Sequence, residues 1–285
     1  MGQAWTAKDV TSTKGKQDEN FPVGSWLISK RNRSDVHAYY NFARASDDIS
    51  DTSELTNEQK LDRLGSMAAI MRGEEKAPQR YDAHTAEVLR DVLIKRSVPI
   101  ETATDLLHAF SMDVKKNRYA TWEELLHYCQ YSANPVGRFL LLLHGENKET
   151  LPASDALCTA LQVINHLQDA AKDLKFLDRC YVPSSWMEEE GVTIDDLRLV
   201  RSKPGIRRVF DRMLDEVDRL NRQASTLPML IRNRHMRLEA SVIVKLSCLL
   251  AQRLRQKDPI QERVALKKAD GLKALAYALK YIPSR

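Results

Sequence analysis

The stretch HAYYNFARASDDISD, residues 37–51, crowds three aspartates into one end of a predicted helix. At about 100° per residue, four of its polar residues share one helical face, at offsets 0, 4, 7 and 11: Tyr40, Arg44, Asp47 and Asp51. Carboxylates one turn apart repel each other and destabilise a helix. The pattern therefore predicts a positively charged partner for these acids.

A second stretch, LQVINHLQDAAKD at residues 161–173, repeats the arrangement. Its polar face carries residues at offsets 0, 3, 7 and 11: Gln162, Asn165, Asp169 and Asp173. Apolar residues precede each acidic pair, as HAYYNFA in the first helix and ALCTALQVI in the second. Charges at the end of an apolar helix face are usually paired or bind a metal, so two such helices indicate more than a solvated acidic surface.

Aspartates at positions i and i+4 can share a hard divalent cation. Mg²⁺ prefers oxygen ligands, takes few protein carboxylates and completes its shell with water and phosphate oxygens. Two such helices facing each other would hold several Mg²⁺ ions around a diphosphate, and the metal charge would make that diphosphate a good leaving group. Arg44 adds a fixed positive charge toward the same anion. The expected cofactor is therefore Mg²⁺.

Composition favours an all-α protein. Its 285 residues include only 10 Gly and 10 Pro, so helix breakers are scarce. Neither an internal repeat nor a Pro/Gly/Ser-rich linker divides the chain, which predicts one helical domain over residues 20–285 after a loose tail at 1–19. The chain has 44 basic and 39 acidic residues, so its net charge is +5. This charge is compatible with an ordinary solvated surface or with anionic ligands.

One long predicted helix contains two breakers. TWEELLHYCQYSANPVGRFLLLLHG, residues 121–145, opens on a capping-box pattern at Thr121 and Glu124 and ends at Gly145. Pro135 and Gly137 lie in its middle, which predicts either a kinked helix that makes room for a cavity or a helix–loop–helix. The other helices are expected near residues 34–50 (capped by Ser34), 57–71, 82–96, 100–115, 154–177, 204–226, 233–255 and 269–281.

These motifs resemble the squalene/phytoene synthase family, the head-to-head type of trans-isoprenyl diphosphate synthase. The resemblance covers about residues 19–257, and its landmarks are FARASDDISD, MDVKKNRYATWEELLHYC, NPVGR, QVINHLQDAAKD and RCYVP. It implies a single bundle of helices around a deep apolar channel. It also implies Mg²⁺ at the channel mouth, bound to the diphosphate of a prenyl substrate.

The resemblance also assigns residues. It makes the two acidic pairs metal ligands and catalytic residues: Asp47, Asp51, Asp169 and Asp173. Tyr40 and Arg44 match the Tyr and Arg that precede the first motif, which implies that they are catalytic residues as well. The implied substrate-binding residues are an aromatic near the entrance, two residues of the kinked helix and the polar pair before the second motif: Phe21, Val136, Gly137, Gln162 and Asn165.

Within the family, ENFPVGSWL and YCQYSANPVGRFLL are most similar to bacterial hydroxysqualene synthases of hopanoid biosynthesis. This implies conversion of presqualene diphosphate and water into hydroxysqualene and diphosphate. Pathway partners would make the substrate and reduce the product. The alternatives are head-to-head condensation of two prenyl diphosphates and a non-enzymatic assembly factor. Many condensing members carry Arg where this chain has Gln168, which is compatible with a one-substrate reaction.

Targeting signals are sparse. No signal-peptide core opens the chain, and FLLLL at residues 139–143 is far shorter than a membrane span, so a cytoplasmic location is expected. ALKKADGLKALAYALKYI, residues 265–282, is amphipathic and lysine-rich; it predicts either peripheral contact with the inner membrane surface or packing on the bundle. The basic runs RSKPGIRR and RNRHMR are expected to be solvated, with no nucleic-acid partner.

Overall fold

The structure, a computed structural model, describes residues 31–281. Over this range the chain forms α-helices joined by short turns of 3₁₀ helix, and its one β-bridge is the isolated pair Arg118 and Cys180. This confirms the predicted all-α class. The predicted tail at 1–19 and Phe21 lie outside the described residues.

The helices are α1 (Arg33–Asp51), α2 (Asn57–Arg72), α3 (Tyr81–Arg96), α4 (Glu101–Lys115), α5 (Trp122–Ser132), α6 (Asn134–Leu143), α7 (Leu151–Gln168), α8 (Ala170–Phe176), α9 (Ser184–Glu189), α10 (Pro204–Ala224), α11 (Leu227–Leu230), α12 (Arg234–Gln256) and α13 (Lys268–Ala278). Most predicted boundaries fall within three residues of these. The predicted cap at Ser34 is wrong, because the helix already begins at Arg33 after Asn32. The stretch predicted as one helix over 154–177 is two helices, α7 and α8.

The described residues divide into two compact units, and one of the boundaries between them falls within α6. The first unit comprises residues 31–116 and 138–145. In it α1 packs against α3 and α4, and α2 packs against the same two helices. Its core is apolar, with Phe42, Ile49, Met67, Leu89 and Phe139 fully buried.

The amino-terminal half of α1 is anchored in this core. The Tyr39 ring stacks on Phe139 with centroids 4.1 Å apart, and its hydroxyl donates to the Thr102 carbonyl at 2.7 Å. A hydroxyl buried in this way needs such a partner. These contacts fix the rotation of α1, so the adjacent face, which carries the first acidic motif about 80–140° around the helix, stays half-buried.

The second unit comprises residues 117–137 and 146–281. In it α10 packs against α7 and α12, and α5 packs against α7. The carboxylate of Glu146 accepts hydrogen bonds from the backbone N–H groups of Arg232 and Asn233, at 2.8 and 2.7 Å. The Asn233 side chain in turn caps α12. These bonds satisfy donors at the start of α12 that would otherwise lack partners.

The break between α5 and α6 is a single residue. Ala133 leaves the helical conformation, yet its N–H still donates to the Cys129 carbonyl at 3.1 Å. Pro135 follows in the first turn of α6, where its missing N–H leaves no helical bond unmade. The predicted stretch is therefore two helices, α5 and α6, which are separated by one residue and not by a longer loop. The predicted cap at Thr121 is confirmed, although Glu124 accepts from the Ala120 N–H instead of from Thr121.

Candidate active site

The first acidic motif ends α1. Arg44 reaches both neighbouring aspartates on the next turn, with Nη1 at 3.3 Å from Asp47 Oδ2 and Nη2 at 3.1 Å from Asp48 Oδ1. Tyr40, Arg44, Asp47 and Asp51 all lie on α1 and are all half-buried. One guanidinium thus offsets part of the repulsion between the acids, because its planar fork can serve two carboxylates.

The backbone around Asp51 is also well supported. Ser50 Oγ lies 2.9 Å from the Asp47 carbonyl and 3.2 Å from Asp51 Oδ1. Lys60 of α2 donates to the Ser50 carbonyl at 3.0 Å, at the carboxyl end of α1. A cation at a helix carboxyl terminus is favourable because of the helix dipole. The last turn is therefore held in place while its carboxylates keep access to solvent.

The second acidic motif lies at a kink. Asp169 has φ −103° and ψ 8°, and it separates α7 from α8. Backbone bonds still cross the kink: the Asp169 N–H donates to Asn165, and its carbonyl accepts from Asp173 at 2.7 Å. The i, i+4 relationship of the two aspartates therefore survives. Lys172 Nζ lies 3.9 Å from Asp169 Oδ1, and the Asp169 side chain is 47% exposed.

The polar residues before this motif contact a buried histidine. Gln162 Nε2 lies 3.2 Å from His166 Nε2, and the His166 ring stacks on Tyr181 with centroids 3.6 Å apart. Burial, aided by the nearby charge of Arg179, lowers the pKa of His166 to about 3. The ring is therefore neutral at physiological pH, and it accepts at Nε2 because an amide nitrogen can only donate.

His166 belongs to an aromatic cluster in the same unit, which we call the tyrosine cluster: Tyr119, Tyr128, Tyr181 and His166. Tyr128 lies between the others, with its ring centroid 5.3 Å from Tyr181 and 5.9 Å from His166. Tyr119 lies 5.4 Å from both Tyr128 and Tyr181. All four are buried, and tilted or stacked rings at such distances stabilise one another. The cluster makes the inner side of α7 rigid next to its polar face.

Two residues beside the second motif connect it to neighbouring segments. The Arg179 N–H donates to the Asp173 carbonyl at 3.2 Å, and Arg179 is buried. The Gln168 side-chain amide donates to the carbonyl of Val264, in the segment between α12 and α13. The residue before the kink, Gln168, and the motif residue after it, Asp173, are thus each hydrogen-bonded to a neighbouring segment.

The predicted residues of α6 lie at its first turn. Val136 is partly exposed, whereas Gly137 faces α7 at close range. A Cβ added at Gly137 would come within 2.5 Å of Ser154 Oγ and 2.6 Å of Cys158 Sγ. Glycine is therefore required here by packing within the second unit. Phe21 lies outside the described residues, so its predicted role stays a prediction.

The side chains of both acidic motifs are chemically suited to Mg²⁺. Each supplies two carboxylates one turn apart, and Mg²⁺ is bound by a few carboxylates with water and phosphate oxygens. Within residues 31–281, no group of three or more His, Cys, Asp or Glu side chains is arranged as a metal site. The donor type and number in each pair therefore fit a cation that shares its shell with a phosphorylated ligand.

Three further residues belong to this description although the sequence patterns did not single them out. Asp48 pairs with Arg44, Arg179 contacts the second motif, and Tyr181 stacks on His166. The i, i+4 spacing of Arg44 and Asp48 was a usable signal. Arg179 and Tyr181 both lie in the RCYVP landmark, but their contacts depend on how the chain folds back after α8.

The fold is that of the helical isoprenoid synthases. The structure is similar to that of squalene synthase HpnC from Alicyclobacillus acidocaldarius, with a TM-score of 0.72, 31% identity and coverage of 83% of this chain and 88% of that one. A dehydrosqualene synthase in complex with a ligand superposes with a TM-score of 0.77 at 19% identity, covering 93% of this chain and 92% of that one.

The chain belongs to the squalene/phytoene synthase family, whose model matches residues 14–270. Hydroxysqualene synthase of Rhodopseudomonas palustris is 41% identical over 263 residues, which is 92% of this chain and 88% of that protein. Hydroxysqualene synthase of Zymomonas mobilis is 40% identical over 268 residues, which is 93% of this chain and 89% of that protein. The predicted family is therefore confirmed.

The structure also bears on membrane insertion. Among the helices of residues 31–281, none combines the length and the apolar character needed to cross a bilayer.

Proposed function

We propose that this protein is a Mg²⁺-dependent enzyme that converts presqualene diphosphate and water into hydroxysqualene and diphosphate. One observation carries the proposal: a chain about 40% identical to hydroxysqualene synthases over nine-tenths of its length has all four aspartates at partly buried positions, three on helices and Asp169 at the break between α7 and α8. Charged side chains kept at such positions favour a ligand over a solvated surface.

The reaction balances without a redox partner. The carbon–oxygen bond to diphosphate breaks and its electron pair leaves with the diphosphate. The resulting cyclopropylcarbinyl cation rearranges, a water oxygen forms the new carbon–oxygen bond, and one proton is released. The protein has to bind the anion, stabilise the cation and admit water in a defined way.

We assign the diphosphate to the two acidic motifs. Asp47 and Asp51 on one helix and Asp169 and Asp173 on the other would hold Mg²⁺. When bound, Mg²⁺ supplies the positive charge that neutralises the leaving group. Arg44, held by Asp47 and Asp48, adds a fixed positive charge beside the first pair.

The remaining predicted residues would bind and orient the prenyl substrate. Gln162 and Asn165 offer amide groups on the face that carries Asp169, and the contact of Gln162 with His166 fixes its orientation. Tyr40 presents an aromatic ring on the face of Asp47, where it would stabilise positive charge. Val136 and Gly137 belong to the first turn of α6 and would line the substrate channel.

Gln168 is compatible with a one-substrate reaction. Its side chain donates to the Val264 carbonyl and brings no positive charge to the second motif. An enzyme that binds one diphosphate per turnover needs less positive charge than one that binds two. The proposal includes an upstream condensing enzyme, a downstream reductase and a cytoplasmic location with peripheral membrane contact.

Head-to-head condensation of two prenyl diphosphates is the alternative, because more distant relatives include phytoene synthases, such as that of Thermus thermophilus at 31% identity over 66% of this chain and 62% of that protein. A non-enzymatic assembly role is disfavoured because all four aspartates are present. Product analysis separates the three: presqualene diphosphate with Mg²⁺ should yield hydroxysqualene. A condensed product from farnesyl diphosphate alone would support the alternative, and inertness toward both would support the assembly role.

Variants test the assignment of the aspartates. Asp47→Asn and Asp169→Asn should each lower turnover by at least about 100-fold, because each removes a charge that balances the metal. Asp91→Asn, an exposed aspartate of α3, is the matched control and should be as active as the wild type. Circular dichroism should show unchanged helicity in all three. Wild-type rates in both motif variants would refute the metal assignment.

A further inference from the structure

The last helix, α13, presents an apolar stripe to solvent. Leu272 is 71% exposed, Leu275 is 45% exposed, and Leu279, in the 3₁₀ turn that follows directly, is 64% exposed. At about 100° per residue their offsets of 0, 3 and 7 place them within about 60° of one another. We call these three residues the leucine stripe. Soluble surfaces tolerate single exposed leucines, but a contiguous group indicates a contact surface.

The opposite side of α13 is fixed to α12. Ala274 and Ala278 are buried there, and Arg253 of α12 binds the buried Asp270 at 2.8 Å. Burial opposes ionisation of Asp270, yet the Lys267 N–H and Arg253 together hold its pKa below the usual range. Asp270, the one acidic residue of α13, therefore lies on the side that faces α12. The helix cannot turn its leucine stripe inward without breaking the ion pair of Asp270 with Arg253.

The exposed charge on α13 is of a single sign. Lys267 directly precedes α13 and Lys268 is its first residue, and both are exposed. Lys273 and Lys280 lie about 80–100° around the helix from Leu272, which places both on the same flank of the leucine stripe. Lys280 is held over the Tyr277 ring at 5.1 Å. Since Asp270 is buried and paired, no exposed acid of α13 offsets these four lysines.

We propose that the leucine stripe and its flanking lysines dock this protein on the surface of an anionic lipid bilayer. An apolar stripe bordered by lysines is the pattern of helices that lie in the membrane interface, with leucines at the acyl boundary and lysines among anionic headgroups. The charge selects this occupant, because anionic lipid attracts each lysine while a neutral or cationic surface does not. This surface would provide the peripheral membrane contact included in the proposed function, and vesicle binding is measured separately from the reaction, so the two can fail independently.

Vesicle flotation of the full-length protein tests this inference. The wild type should float with vesicles of phosphatidylcholine and phosphatidylglycerol at low salt, and much less with phosphatidylcholine alone. Leu272→Gln/Leu279→Gln should weaken binding at least about tenfold, since both apolar side chains lose their favourable burial. Lys273→Gln/Lys280→Gln should weaken it about fivefold per lysine and reduce its salt dependence.

The matched control removes two exposed apolar side chains elsewhere. Ile94→Gln/Met229→Gln should float like the wild type, because neither residue belongs to the leucine stripe. All substituted positions are exposed, so the fold should be retained, and activity on detergent-dispersed substrate should be unchanged. Failure of the wild type to float with anionic vesicles would overturn the proposal. Vesicle binding by Leu272→Gln/Leu279→Gln that equals wild-type binding would also overturn it. A third contrary result would be that the wild type forms a dimer and binds no vesicles, while this leucine variant is monomeric.

Discussion

The side-chain amide of Gln168 donates to the backbone carbonyl of Val264, nearly a hundred positions further along the chain. Gln168 is the last residue of α7, and Asp169 of the second acidic motif comes next. The bond therefore connects the kink that carries the motif to the segment between α12 and α13. The neutral Gln168 side chain therefore contacts this segment and adds no charge beside Asp169.

We expect Gln168→Glu to destabilise the protein by about 1–3 kcal/mol, because a carboxylate cannot donate and would leave the Val264 carbonyl without its partner. Gln168→Met should have a smaller effect, since it removes the donor without adding a charge. Urea unfolding monitored by circular dichroism measures both. Gln130→Glu, on an exposed position of α5, is the control and should be nearly neutral. Equal unfolding midpoints for the two glutamate variants would contradict the bond.

Gly137→Ala should destabilise the protein by about 1–3 kcal/mol, as is typical of overpacked cores. The reason is the close approach of Ser154 Oγ and Cys158 Sγ. Gly65→Ala is the matched control, because Gly65 is an exposed residue of α2 with nothing within 4 Å of the added methyl group. That change should stabilise α2 by about 0.5–1 kcal/mol. Thermal unfolding should thus move in opposite directions for the two alanines.

A rescue experiment identifies the atoms responsible. Ser154→Ala and Cys158→Ala each remove one of the two crowded atoms, so adding both to Gly137→Ala should recover part of the lost stability. Ser154→Ala/Cys158→Ala without the glycine change is the reference, because it measures the stability lost to the cavity that these two substitutions create. Residues in contact are expected to have non-additive effects on stability. If the triple variant instead loses as much unfolding free energy as Gly137→Ala and the double variant lose together, the glycine is required for a reason other than these two contacts.

Periodicity predicted which residues share a side of α1, because a helix fixes this regardless of what it packs against. The second predicted face does not lie on one helix, because the break at Asp169 divides it between α7 and α8. The bounds of α2 were within one residue for a local reason: Thr56 and Gln59 form a capping box, and Gly73 adopts the left-handed conformation at the end. In contrast, the cap assigned to Ser34 was wrong. Asn32 and Arg33 already turn the chain into the helix, which no local pattern indicated.

The kink at Asp169 depends on contacts that are distant in sequence. Nothing in HLQDAAKD breaks a helix, and the residue that anchors the kink, Gln168, finds its partner far along the chain at Val264. The need for Gly137 likewise depends on where α7 passes. For the lysine-rich last helix, the sequence left packing and surface contact open, and the structure shows packing by Ala274 and Ala278 with the leucine stripe exposed.

Removing Arg44 should make the first motif respond more strongly to Mg²⁺. In Arg44→Gln the carboxylates of Asp47 and Asp48 lose the guanidinium that offsets their repulsion, so the free protein should be less stable. If Asp47 and Asp51 bind the cation, added Mg²⁺ should recover more stability in this variant than in the wild type. Thermal unfolding with and without MgCl₂ measures this, and Arg72→Gln, at an exposed position of α2, is the control. An identical Mg²⁺ response in all three proteins would argue against the site.

The ion pair of Arg63 and Asp82 should be far more important for stability than its surface counterpart. Their atoms are 3.1 Å apart, and the Arg63 side chain is fully buried. Arg63→Met should therefore destabilise the protein by about 3–5 kcal/mol, because it removes the guanidinium that balances the buried charge of Asp82. The matched control is Arg72→Met, which breaks an exposed pair with Glu74 and should have little effect. Arg63→Met/Asp82→Asn should recover part of the loss in urea unfolding.

His166 should make stability depend on pH in the mildly acidic range. Burial and the charge of Arg179 lower its folded-state pKa to about 3, whereas the unfolded histidine titrates near its ordinary value of 6.5. Between these values the unfolded chain binds one more proton, so the contribution of His166 is fully present above pH 6.5 and is lost as pH falls. The expected loss is about 1 kcal/mol per pH unit. Urea midpoints at pH 7.5 and 5 measure it, and His166→Phe, which keeps a ring beside Tyr181, should show a smaller difference. Equal pH dependence in both proteins would mean that the buried ring is not the group that titrates.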